Sequence, residues 1–266
     1  MLPPLSNNLD QTQSAVQTTS QRLSSGTRVT AQSDPAASSI VTLFAAQLVG
    51  NQQAQNNVGD AVSLTDTASA GLSQVSESLQ QIRQLTVQAA NGTNSASDVQ
   101  SIQKQIDQLG QSIDQVASDT QFNGQNLLDG SFSTQIQSGA NQGQTQNLAF
   151  ADVSLNGLGL AGGGLDVTQP GNAANLLSAL DSALNNVSQQ QENAAGAQAG
   201  FNSRLSDLGQ TYEHLASASS RQADTDYAQE STDFSTNKVK SQVSMHALAL
   251  YNKNLSDSTS NLIASV

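Results

Sequence analysis

Cysteine and tryptophan are absent from this 266-residue chain, and aromatic residues make up only 3% of it. Without Cys there is no disulfide and no thiol nucleophile. With so few aromatics, a thick globular core lacks its usual payload. Charge is scarce as well: 11% of residues are charged, against roughly 25% in an ordinary soluble domain. The nine Lys plus Arg form no basic stripe, which argues against nucleic acid as a partner. No basic amphipathic helix suited to a membrane surface is present. No apolar run approaches the ~18 residues of a transmembrane helix. The opening Met1-Leu2-Pro3-Pro4 lacks the basic start and apolar stretch of a secretory signal. Neither nucleic acid nor membrane is therefore expected as a partner.

Gln, Asn, Ser and Thr fill the space left by charge, and apolar periodicity runs through them. Val58, Thr65, Leu72, Leu79 and Thr86 fall on one line, and Ala61, Ala68, Val75, Ile82 and Ala89 stand three residues behind each. That is the a/d pattern of a coiled-coil seam. The seam is thin, and a helix of this length, about 48 Å at ~1.5 Å per residue, cannot hide its stripe alone. A partner is at hand. From Leu177 through Leu180, Leu184, Val187, Gln191, Ala194, Gln198, Phe201, Leu205, Leu208, Tyr212 and Leu215 the 3-4 rhythm is unbroken.

The remaining text divides around these two stretches. A helix is expected from Leu5, since Pro3 and Pro4 discourage an earlier start, and it should stop at Ser24-Ser25-Gly26. Asp34 and Pro35 read as N-cap and N1 of the next helix, with a kink or break expected at Gly50 or Gly59. After Asn91-Gly92 comes an antiparallel helix with Val99, Ile102, Ile106, Leu109, Ile113 and Val116. From Phe122 to about Val167, turn pairs and period-2 alternation, including Val153 and Leu155, predict short hairpins. Asp226 is the candidate N-cap of a last amphipathic helix through Phe234, Val239, Val243, Leu248, Leu250, Tyr251, Leu255 and Leu262. The fold class is therefore mainly α: a long antiparallel coiled-coil or helical-bundle rod with a small β-hairpin region in the middle of the chain. Residues 1–33 and 225–266 are expected as paired terminal helices, and 34–224 as the rod, with hairpins at about 122–168.

No catalytic constellation emerges, and no enzyme, cofactor or metal is expected. His214 and His246 have no ligand at metal spacing. Asp224, Asp226 and Glu230 read better as a capped helix start than as a cation site. No G-x-S-x-G elbow occurs, and Gly162-Gly163-Gly164 lacks the Lys-Ser/Thr of a phosphate loop. Asn91-Gly92-Thr93 and Asn186-Val187-Ser188 fit the short glycan-acceptor pattern.

Several ordered segments carry a family resemblance. Arg22-Leu23-Ser24-Ser25-Gly26, Ser33-Asp34-Pro35-Ala36-Ala37, the helix Leu79 to Asn91, Thr120-Gln121-Phe122-Asn123-Gly124 and Gln137-Ser138-Gly139-Ala140-Asn141 stand in order in the first half. Phe201-Asn202-Ser203-Arg204-Leu205 and Asp224-Thr225-Asp226-Tyr227-Ala228 stand in the second. Together they resemble bacterial flagellin. The sequence departs from the pattern in its short lead with Pro3-Pro4, in Pro35, and in Met245-His246.

The resemblance implies a structural subunit that polymerises into the flagellar filament used for swimming, outside the cell. It implies self as the main partner, together with the flagellar export apparatus, a secretion chaperone, and hook-associated and cap proteins. Only about ten residues separate Leu160 from Pro170-Gly171, so the family's outer domains are expected to be missing. Leu9, Val16, Leu23, Leu248, Tyr251, Leu255 and Leu262 are assigned to the inner assembly contact. Leu72, Leu79 and Ile82 are expected to pack with Leu205, Leu208 and Tyr212 in the rod. The end helices are expected to be poorly ordered in the free monomer. Some members are recognised by an animal innate receptor; the matching patch would be Arg83, Leu85 and Val87, with Gln84 and Gln105 at positions that are acidic in the pattern. Rival readings are a hook–filament junction protein of the flagellum and a monomeric coiled-coil binding module.

Overall fold

In the computed structural model, the described residues form five helices and two hairpins: α1 (Pro3–Ser25), α2 (Pro35–Ala89), α3 (Ala96–Asp119), β1 (Gln121–Phe122), β2 (Gln125–Asn126), β3 (Ser133–Gln137), β4 (Thr145–Ala149), α4 (Asn172–Ala223) and α5 (Tyr227–Ala264). Residues 3–29, 34–169 and 171–264 are described, with side chains for 6–29, 34–169 and 171–261. The chain divides into two compact units. One joins Met1–Gln47 to His214–Val266, and the other is Leu48–Glu213. We call them the terminal unit and the rod unit.

Local chemistry explains most boundaries. Gly26 closes α1 in the left-handed region at φ 69°, its N–H donating to Arg22 O at 2.9 Å. Asp34 Oδ1 accepts from Ala37 N at 2.9 Å and opens α2 at Pro35. Ser95 and Asp98 form a reciprocal capping box at the start of α3. Asp226 Oδ1 accepts from the backbone N–H groups of Ala228 and Gln229, capping α5. The Asn123-Gly124 turn, with φ 50° and 76°, joins β1 and β2, whose pairing sets Phe122 opposite Gln125.

Four expectations need correction. First, α1 begins at Pro3, not Leu5. First-turn N–H groups have no partner within a helix, so two prolines there remove nothing. Second, α2 runs through Gly50 and Gly59 without a break. A Cβ on Gly50 would stand 2.9 Å from Ala140 Cβ, so this glycine admits the close approach of the 138–144 loop.

Third, the strands end at Ala149; Val153 lies in irregular chain and Leu155 in a turn. Their backbone groups are claimed elsewhere: Val153 N donates to Leu128 O at 3.0 Å, and Leu155 N to Asp114 Oδ1 at 2.8 Å. The buried Val153, Leu158, Leu160, Leu165 and Val167 are apolar to seal the core, not to build a sheet. Gln103 acts here as a short strand, accepting from Val167 N at 2.8 Å and donating to Leu165 O at 3.1 Å. Fourth, the inward face of α4 begins on Leu176, Leu180 and Ala183, leaving Leu177 and Leu184 half-buried.

The rod unit has one continuous core. Val58, Ala61, Leu72, Val75, Leu79 and Ile82 of α2 join Ile102, Ile106 and Ile113 of α3 and Leu180, Val187, Phe201 and Leu208 of α4. Helices α2 and α4 are antiparallel. Arg83 meets Asp181, and Asp66, 17 residues earlier, meets Gln198, 17 residues later. Thr65 and Thr86 are buried in this seam because each hydroxyl donates to the carbonyl four residues back, at 2.7 Å. The hairpins cap the core through Leu127, Leu128, Leu148 and the stacked rings of Phe132 and Phe150, 5.9 Å apart. Arg204 Nε donates to Ser138 O at 2.6 Å and ties the β3–β4 loop to α4.

Candidate assembly surfaces

In the terminal unit, α1 packs against α5. Backbone bonds fix one end of the pair. Thr225 N donates to Gly26 O at 3.1 Å, Arg28 N to Ala223 O at 2.7 Å, and Thr27 bridges Asp224. From there the helices run antiparallel, with Arg22 facing Glu230. The shared face of α5 is Glu230, Phe234, Asn237, Ser241, Ser244, Leu248 and Tyr251, alternating by four and three. Leu9, Thr12, Ala15, Val16, Thr19 and Leu23 of α1 are half-buried or buried.

The assigned inner-contact residues separate on this geometry. Leu9, Val16, Leu23, Leu248 and Tyr251 are half-buried. Leu255 lies on the same α5 face but is 49% exposed. The side chain of Leu262 lies outside the described residues. Roughly opposite the α1 face, at ~100° per residue, Val239, Val243 and Leu250 are exposed by 58%, 62% and 62%. The sequence places these residues in one amphipathic series with Leu248 and Tyr251 and does not separate the two faces. The signal of this second stripe is a 4-then-7 spacing that lies off the first stripe. Ile40 and Leu43, early in α2, are exposed as well.

In the rod unit, Leu72, Leu79, Ile82 and Leu208 are buried in one core, and Leu205 packs half-buried against it. Tyr212 does not join them: it is 37% exposed. The register of α2 and α4 brings it opposite Gln52, where the seam of α2 has turned polar. Arg83 Nε donates to Asp181 at 2.9 Å on the surface; Leu85 is half-buried and Val87 exposed. Gln81, Gln84, Gln105 and Gln108 line the cleft beside Leu85 and Leu109.

His214 and His246 are exposed. Among the described residues, no group of three or more His, Cys, Asp or Glu could hold a metal ion. Asp224 accepts from the Ser220 hydroxyl, Asp226 caps α5 and Glu230 faces Arg22, so the three carboxylates diverge. Hydroxyls hold three other carboxyls below the ordinary carboxylate range: Ser95 for Asp98, Ser131 for Asp129 and Thr168 for Asp166, each helped by a backbone N–H. These are turn and cap bonds, not a reactive centre. No described helix is long and apolar enough to cross a membrane.

Paired end helices, a long-helix core and hairpins in the middle of the chain define a helical structural protein with apolar stripes left open. The known relatives say which kind. The bacterial flagellin N-terminal helical region matches residues 4–133, and the bacterial flagellin C-terminal helical region matches residues 177–257. The chain belongs to the bacterial flagellin family. It is 38% identical over 192 residues to the phase 1 flagellin of Salmonella naestved, covering 72% of this chain. It spans 37% of that relative's length. The crystal structure of Bacillus cereus flagellin shares 31% identity over 60% of this chain and 88% of that one, with a TM-score of 0.48. A putative flagellar hook-associated protein from Vibrio parahaemolyticus shares the fold, at TM-score 0.62 and 16% identity, over 72% of this chain and all of that one.

Proposed function

We propose that this chain is a flagellar filament subunit, self-assembling outside the cell, and that its terminal unit makes the innermost contact. One observation carries the reading. The terminal unit buries only Thr19, Ala37, Glu230 and Ser241 among its described side chains, and no Leu, Ile, Val or Phe. A pair of helices that leaves its large apolar residues half-buried or exposed gains its hydrophobic stabilisation only when further surfaces cover them. A second copy supplies such surfaces without closing the contact, which is the geometry that grows a helical tube. Leu9, Val16, Leu23, Leu248 and Tyr251 hold α1 on α5, and Val239, Val243 and Leu250 face the neighbours. Leu255, and Leu262 beyond it, extend the contact.

The family resemblance adds the remaining partners: the flagellar export apparatus and a secretion chaperone before assembly, and hook-associated and cap proteins at the filament ends. It also adds an innate-receptor patch at Arg83, Leu85 and Val87. There the pairing of Arg83 with Asp181 and the amide groups of Gln84 and Gln105 leave few free charges for an ion-paired contact.

The test is electron microscopy of the purified full chain after salt-induced assembly. Long tubes are the expected result. Persistently monomeric protein at high concentration and high salt would sink the proposal in favour of a monomeric binding module.

A further inference from the structure

Two ion pairs occur among the described residues, and they differ in kind. Arg83 and Asp181 are each about half exposed, whereas the Glu230 side chain is only 9% exposed and Arg22 30%. The Arg22–Glu230 contact is 3.7 Å, too long for a hydrogen bond. Arg22 Nε, Glu230 Oε1 and Thr225 Oγ1 are buried there without hydrogen-bond partners. Elsewhere the α1–α5 face alternates half-buried large apolar residues with small ones such as Thr12, Ala15, Thr19, Ser241 and Ser244. Small side chains fit one another at many levels. The apolar residues do not choose a face either, because α5 carries Phe234, Leu248 and Tyr251 on one side and Val239, Val243 and Leu250 on the other.

We infer that the Arg22–Glu230 pair selects the register and the face on which α1 seats on α5. A slip of one turn, or seating on the outer stripe, leaves Glu230 without its cation. A carboxylate left alone in a low-dielectric seam is penalised far more than a correctly placed pair is rewarded. The pair therefore acts mainly against wrong arrangements, like a single polar residue in a coiled-coil core. The inference itself concerns the single chain and does not require polymer.

The test uses the full chain, whose lack of cysteine makes engineered pairs unambiguous. Equal counting from the ion pair puts Thr12 level with Lys240 and next to Ser241, with Asn237 and Ser244 about one turn to either side. In a thiol–disulfide exchange buffer, Thr12→Cys should close on Ser241→Cys and only weakly on Asn237→Cys or Ser244→Cys. In the Arg22→Leu/Glu230→Leu background, helicity and melting temperature should hold while the off-level disulfides rise several-fold. The exchanged pair Arg22→Glu/Glu230→Arg should restore the single level.

Capture confined to Ser241→Cys in the Leu background would show that the Gly26–Thr225 and Arg28–Ala223 backbone bonds set the register, and would overturn the inference. Loss of the α1–α5 helicity in that background would overturn it too, since the pair would then be a stabiliser and not a selector. So would equal capture at all three levels in the otherwise unaltered chain.

Discussion

From Leu48 to Glu213 the large side chains go inside; in the terminal unit they do not. The rod unit completely buries Leu72, Leu79, Ile82, Ile106, Ile113, Leu127, Leu128, Leu180 and Val187, with Phe201 at 1%. The terminal unit buries small and polar groups instead. Charge divides the same way. The rod unit has three Lys or Arg against fourteen Asp or Glu, and the terminal unit six against seven. Their net charges are therefore −11 and −1. A nearly neutral unit with open apolar stripes attracts copies of itself. A strongly acidic one repels them, and salt weakens that repulsion. The rod unit thus buries its large apolar residues within one chain, and the proposed filament contact is what would cover those of the terminal unit.

The largest effect should come from removing half of the terminal unit. Deleting residues 1–25 should abolish sedimentable filaments, while the rod unit keeps a cooperative melt; ordinary filaments from the truncated chain would erase the distinction. Next come the two units' responses to the same change. Leu72→Ala should lower the stability of the rod unit by about 3–5 kcal/mol in denaturant melts, because it opens a cavity in a fully packed core. Val243→Ala should leave the monomer within about 0.5 kcal/mol, because the side chain is already in water. Its filament yield should nevertheless fall. If both substitutions affect only the melt, the outer stripe of α5 is not an assembly surface.

Two glycines in α2 refine the picture within the rod unit. Gly50→Ala should destabilise by about 1–3 kcal/mol, because its Cβ would overlap that of Ala140. Gly59→Ala has nothing within 4 Å of the new methyl and should stabilise by about 1 kcal/mol through helix propensity. Both read simply as helix weakeners in sequence, and only the position of the 138–144 loop separates them.

That pair shows what the sequence carried and what it did not. Caps and seams are local, so Gly26, Asp34, Asp226 and the Val58–Ala89 heptads could be read directly. The motifs that placed the chain in its family could be read as well. Features that depend on a distant neighbour could not. Val153 and Leu155 alternate like a strand, but Leu128 and Asp114 take their N–H groups. Tyr212 keeps the α4 rhythm, but α2 opposite it has changed to Gln. Leu255 keeps the α5 rhythm, but its side chain is exposed. The outer α5 stripe was hidden for another reason. With apolar residues on both faces, a helix gives no single periodic signal, and only the seat of α1 shows which face remains open.

The smallest expected effect concerns pH and falls within the rod unit. Asp98, Asp129 and Asp166 are held below the ordinary carboxylate range by Ser95, Ser131 and Thr168. A carboxyl whose pKa is lower folded than unfolded adds stability above the unfolded value and loses it as pH falls through the folded one. Ser131→Ala removes the largest cause of the shift at Asp129. Its melting temperature should therefore lie slightly below that of the unaltered chain at neutral pH, and the gap should narrow as pH drops below about 4. Ser131 and Asp129 both lie in the rod unit, so the terminal unit's own transition should not respond to this substitution. A gap of equal size at pH 2.5 and pH 7 would mean that Ser131 acts through turn geometry alone, and that the acid sensitivity of this chain lies elsewhere.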